Sequence, residues 1–166
     1  MSISVTNSLT IRIYYNQNKN AISGSTRKSS STGTLSFADA SALRNAVRKL
    51  QDFKFEDAPK DQIQEKLKAF TDTINNTLES ASKYGKSDTS VKNSASKIKN
   101  LNKEFASQLK KIGITVEKDG TMSLYENASK NYSAERFSDF FSKDSKYLND
   151  LYNVAKKITR KVDVRI

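Results

Sequence analysis

Paired carboxylates are where this sequence could do chemistry first, because general acid–base catalysis needs a proton donor and an acceptor held together. Glu56–Asp57 and Asp61–Glu65 supply such pairs. Both lie where a helix is expected to begin, and acids there complement the helix dipole or pair with neighbouring lysines. Serines are abundant, but a serine nucleophile needs a base. The chain has no histidine and no Gly-x-Ser-x-Gly elbow. Without cysteine or histidine there is no thiolate or imidazole metal ligand either. No Gly-x-x-x-x-Gly-Lys loop offers a phosphate cradle. The reading is a protein without catalytic residues, without a cofactor and without a metal, and therefore not an enzyme.

Cations raise a different chemistry. The 166 residues carry 29 Lys and Arg against 18 Asp and Glu, a net charge of +11, which favours anionic partners. Arg44 and Arg48 share a helix face with Lys49 beside them. The run 156–165 adds Lys156, Lys157, Arg160, Lys161 and Arg165 against Asp163 alone. Such groups can clamp phosphates, so a basic nucleic-acid-binding protein is the alternative function. Lysines are interspersed with acids through 54–118 taken as a whole, however, which reads as a solvated face, and no recognised nucleic-acid motif is present.

The stretch LKKIGITVEKDGTMSL, residues 109–124, could be a calcium loop or a piece of architecture. The alternating oxygen ligands of an EF-hand are missing around Asp119. Gly113 instead follows a lysine-ended helix, where a left-handed residue stops the chain from coiling further. ITVEKDGTMSL then reads as a β-hairpin. A two-residue Asp119-Gly120 turn would set Val116 against Ser123. A three-residue loop, Lys118-Asp119-Gly120, pairs Val116 with Met122 and Ile114 with Leu124, all on one face, with Gly120 left-handed. The second register is expected, and Gly113, Asp119 and Gly120 are turn residues.

The surrounding elements follow from periodicity. Ala40, Leu43, Val47 and Leu50 predict a helix over 37–52, capped by Ser36 or Asp39 and closed by Phe53 and Phe55. A second begins near Pro59, carries Ile63, Leu67, Phe70, Ile74, Leu78 and Ala81, and ends at Gly85. Ser87 or Asp88 opens a third, striped by Val91, Ala95, Ile98, Leu101, Phe105, Leu109 and Ile112. Two helices of roughly 25 residues, about 37 Å long at 1.5 Å per residue, make an antiparallel hairpin. Ser133 opens a short helix with Phe137, Phe140 and Phe141. Asp144 or Ser145 caps a last one with Leu148, Leu151, Ala155, Ile158 and Val162, flanked by Tyr147 and Tyr152. The fold class is mainly α: an antiparallel helical bundle with a long helical hairpin, a small β-hairpin at 114–124 and short terminal strands.

Two segments are organised differently. Residues 1–35 form a basic Ser/Thr/Asn-rich segment without an acid, expected to be largely flexible, ahead of a helical domain over 36–166. Within it SLTIRIYY alternates, with Leu9, Ile11 and Ile13 on one face. At the other end KVDVRI alternates Val162, Val164 and Ile166. These six residues are the candidate partner-binding positions, with 9–15 pairing with 162–166 or adding to a sheet edge in the same or a neighbouring chain.

The pattern helix–Gly-Ile-x-Val-x-x-Asp-Gly-Thr-hydrophobic-Ser-Leu is carried by Gly113, Ile114, Val116, Asp119, Gly120, Thr121, Met122, Ser123 and Leu124. With the Phe140-Phe141 pair that follows, it resembles the C-terminal region of flagellar filament-capping proteins (hook-associated protein 2). The likeness covers roughly residues 90–158. It implies a structural protein acting through protein–protein contacts in flagellar assembly, with axial proteins or its own copies as partners and an extracellular, flagellum-associated place. Residues 1–35 lack the long heptad helix those proteins pair with their C-terminal helix. A cytoplasmic scaffold or chaperone fits the same helices. No apolar run approaches the roughly 18 residues of a membrane span, so membrane insertion is not expected. The N-terminus has no signal-peptide pattern.

Overall fold

Seven helices and two small antiparallel ribbons make up a computed structural model that describes residues 4–5, 27, 30–162 and 164–165. In chain order these are β1 (Ser4–Val5), α1 (Thr32–Gln51), α2 (Lys60–Tyr84), α3 (Thr89–Glu104), α4 (Ala106–Lys110), β2 (Ile114–Val116), β3 (Met122–Leu124), α5 (Ala128–Asn131), α6 (Ala134–Phe140), α7 (Lys146–Lys161) and β4 (Val164–Arg165). The chain is mainly α.

The four long helices carry narrow apolar stripes that bury only against one another. α1 packs on α2 and α7, and α3 packs on α2 and α7, so contacts run around a closed ring. Neighbours are antiparallel. Arg44 reaches Thr159 while Gln51 reaches Asn149, and Asn102 meets Tyr147 at the opposite end of α3 from the 93–97 segment beside Lys157. This is the up-down-up-down arrangement of a four-helix bundle. Ala40, Leu43 and Val47 of α1, Leu67, Phe70 and Ile74 of α2, Val91 and Ile98 of α3, and Leu148, Leu151 and Ile158 of α7 lie in one core. The stripes read from the sequence are the buried faces.

Caps explain where the helices start. Asp88 accepts the Val91 N–H at 2.9 Å and Ser145 accepts that of Leu148, each satisfying an otherwise orphan donor. Pro59 stands one residue before α2, and Gly85 closes that helix in ordinary helical geometry. α1 differs from expectation. It begins at Thr32, capped by Ser31 on Thr34, so residues 31–35 belong to the helical domain. Asp39 is no cap: it sits inside the helix and pairs with Arg27 at 2.7 and 3.0 Å.

α3 and α4 replace the single long third helix. The chain leaves α-geometry at Phe105 (φ −98°, ψ 11°), whose ring lies 5.3 Å from that of Tyr147. After this bend Leu109 and Ile112 remain in the core. The end of the bundle where α1 stops and α2 starts is plugged by aromatic rings. Phe55 stacks on Phe141 at 5.6 Å and lies 5.8 Å from Phe137, and Phe141 meets Phe70 edge-on at 5.3 Å. The 52–59 connection and α6 therefore form a lid of packed phenylalanines.

Candidate contact surfaces

Three parts of the molecule bear on function: the hairpin, the terminal ribbon, and the two seams on either side of α7.

The hairpin has the expected register, Ile114 opposite Leu124 and Val116 opposite Met122. Glu117 donates to the Thr121 carbonyl at 2.8 Å and Gly120 donates back to Glu117 at 2.9 Å, which closes a three-residue loop. Gly120 has φ +88° and Gly113 φ +83°, both in the left-handed region. Asp119 accepts from the Thr121 N–H and hydroxyl at 2.9 and 2.7 Å, and these bonds hold its carboxyl below the usual range. Both bonds fall on Oδ1, which is thus engaged in the turn. All three turn residues act as architecture.

Side-chain amides then fasten the hairpin to the bundle. Bonded pairs fall at 113/125 and 117/121, so Met122 belongs to a non-bonded pair whose N–H and C=O face away from β2. Asn75 of α2 takes both, each at 2.8 Å. Gln64, also on α2, bridges two residues just after the hairpin, donating to the Tyr125 carbonyl at 2.9 Å and accepting from Ser129 N–H at 3.0 Å. Asn102 of α3, fully buried, donates to the Gly120 carbonyl and accepts from the Tyr147 hydroxyl, each at 2.8 Å. Burial pushes the Tyr147 phenol well up. The sequence reading overlooked these three amides, though Asn102 lies four residues after Ile98, on the apolar stripe itself.

β4 pairs within the chain, and its partner is Ser4–Val5, ahead of the 9–15 segment from which a partner strand was expected. Ser4 is opposite Arg165 and Val5 opposite Val164, antiparallel, and β4 rests against α1. Val164 thus lies in a strand, as read. Val162 does not: it terminates α7, donates to the Ile158 carbonyl and is 8% exposed, so it joins the core instead of a partner-facing edge. The expected strand at 9–15, with Leu9, Ile11 and Ile13, falls outside the described residues, as does Ile166.

At the α1–α7 seam, Arg44 is almost buried and donates to Thr159 Oγ1 at 3.2 Å and to the Tyr152 hydroxyl at 3.4 Å. Arg48 donates to the same hydroxyl, and the two guanidiniums lie 5.3 and 4.7 Å from the Tyr152 ring centre. Burial alone would raise the Tyr152 phenol. The hydrogen bond from Arg44 and the charges of Arg44, Arg48 and Lys156 outweigh it and hold the phenol below its ordinary value. Arg44 and Arg48, which share a helix face in the sequence, are both directed at Tyr152. Adjacent helices were invisible to a reading along one helix face.

At the α3–α7 seam a groove of about 290 Å³ is lined by Asn93, Ser94, Lys97, Asn153, Val154 and Lys157. Val154 and Ser94 form its floor, and the other four side chains are exposed.

Among the described residues no helix is long and apolar enough to cross a membrane, and no three acidic side chains converge as metal ligands. Comparison with protein-family models, curated proteins and solved structures finds no match to this chain.

Proposed function

We propose that this chain is a structural or interaction protein that works through contacts with other proteins, in an assembly of the flagellar type. The observation that carries contact work is the terminal ribbon. β1 and β4 pair only with each other, so among the described residues each keeps one edge of unpaired N–H and C=O groups. Such an edge takes up a strand from another chain. The flagellar part rests on the motif from Gly113 to Leu124 followed by Phe140-Phe141, and it makes the axial proteins and further copies of this chain the partners to test.

The test uses the full chain and a Val164→Pro variant, which cannot donate from that position of the ribbon. Each is mixed with purified filament and hook-junction subunits and followed by size-exclusion chromatography with light scattering. Association of the full chain, weakened by the proline, is expected. A full chain that stays monomeric and binds none of these subunits overturns the proposal. Export is checked separately: the protein should appear in culture supernatant and disappear from it when the flagellar export apparatus is disabled.

A further inference from the structure

The positive charge of this protein is not spread evenly over the bundle. Residues 40–51 of α1, 89–103 of α3 and 151–161 of α7 hold every cation of these three helices except Lys146, and not one carboxylate. α7 stands between α1 and α3, so these acid-free windows meet along it. On the α1 side the charge of Arg44 and Arg48 is turned onto Tyr152. On the α3 side it is unspent. Neither Lys97 nor Lys157 has a carboxylate within ion-pair distance among the described residues, while the ion pairs lie elsewhere: within α2, around the α7 N-terminus, between Asp52 after α1 and Lys143, and between Arg27 and Asp39 of α1.

We infer that the α3–α7 groove is a docking site for an extended acidic segment of a protein partner. The inference rests on the proposed contact function and names the chemistry of one contact. Lys97 and Lys157, one from each wall, supply the charge complement for Asp or Glu side chains. Asn93 and Asn153 are exposed beside them, and their side-chain amides make no hydrogen bond among the described residues. An amide carries both a donor and an acceptor, so it matches a peptide backbone, which offers one of each per residue. Phosphates offer acceptors only and would leave the amide oxygens unused. The chain shows the same device internally, where Asn75 holds both the N–H and the C=O of Met122. A nucleic-acid strand would call for stacking aromatics, and none lines the groove.

The experiment titrates the full-length protein into a fluorescein-labelled Glu-rich peptide at low ionic strength and reads anisotropy. The same titration is run with a labelled mixed-sequence DNA duplex. Saturable peptide binding is expected, weakened about tenfold or more by the double variant Lys97→Glu/Lys157→Glu. Asn93→Ala/Asn153→Ala should weaken the peptide and leave any duplex binding unchanged. Lys68→Glu, on α2, should bind the peptide as the parent does. Circular dichroism of each variant confirms folding, which exposed helix substitutions leave intact. The inference is overturned by no peptide binding, by equal loss in Lys68→Glu, or by duplex binding that depends on Lys97 and Lys157 without peptide binding. Association with axial subunits that survives Lys97→Glu/Lys157→Glu removes this groove and keeps the contact function. Loss of that association in Val164→Pro alone points the same way.

Discussion

Replacing Asn102 by leucine tests the account of how the hairpin is held. The side chain is fully buried and makes two bonds of 2.8 Å, one to the Gly120 carbonyl and one from the Tyr147 hydroxyl. Leucine is close in size, so little cavity opens, but both partners lose their bond. A buried polar group left unsatisfied costs about 1–3 kcal/mol. Gly120 is buried against Lys99 and Tyr147 is enclosed, so water replaces neither bond readily. The expected loss is therefore about 3 kcal/mol, or a Tm lower by about 6–12 °C for a chain of this size. Urea denaturation followed by circular dichroism measures it. Tyr147→Phe alone should cost about 1–2 kcal/mol, because Asn102 Oδ1 is then orphaned. The double variant should cost less than the sum by about 1 kcal/mol, since the shared bond is lost only once. A change under about 0.5 kcal/mol in Asn102→Leu, or strict additivity, would refute the reasoning.

Three further outcomes are expected. Gly120→Ala should lose about 1–3 kcal/mol and Gly113→Ala more, as left-handed backbone already disfavours a side chain. A Cβ at Gly120 would meet Lys99 Cβ at 2.8 Å, and one at Gly113 would meet Ala128 Cβ at 2.6 Å; the reverse order of destabilisation in urea would count against this. Arg44→Met should lie within about 1 kcal/mol of the parent or above it, because it removes a buried cation with no carboxylate partner, while Tyr152 keeps Arg48 and Thr159 keeps the Lys156 carbonyl; a loss beyond about 3 kcal/mol in thermal denaturation would refute it. At alkaline pH the two tyrosines act oppositely. Tyr147, raised, stabilises the fold fully below the ordinary tyrosine range, and that contribution is lost as pH climbs through it. Tyr152, lowered, ionises earlier and adds stability above its folded value. Ultraviolet titration should therefore show one phenolate appearing early and one only with unfolding, and Tyr147→Phe should flatten the alkaline loss; all tyrosines titrating together in the folded state would contradict this.

What could be read from the chain alone was whatever is encoded locally. The hairpin register followed from asking which loop puts Ile114, Val116, Met122 and Leu124 on one face, and the hairpin has that pairing. The helix stripes, the Asp88 and Ser145 caps and the two left-handed glycines are likewise short-range signals. The start of α1 was hidden because Gly33 and a run of serines and threonines look like linker, yet Gly33 is buried against the bundle and Ser31 makes the cap. The bend at Phe105 has no proline or glycine to announce it. It follows from where that ring and Tyr147 meet, a contact between residues far apart in sequence. Contact surfaces were the least legible part. Arg44 and Arg48 looked free until α7 was laid beside them, and the α3–α7 groove joins residues some sixty positions apart.

The amide of Asn75 has a consequence for solubility. A helix side chain here impersonates a neighbouring strand, occupying the outward groups of Met122 that an identical hairpin from another molecule would otherwise seek. Sheet growth by stacking of like edges is thereby shut off along β3, and on the β2 flank the exposed Glu117 and Lys118 discourage it. Concentrated protein should consequently resist fibril formation through this hairpin, and Asn75→Val, which uncovers the edge while raising strand propensity nearby, is the change that would invite it.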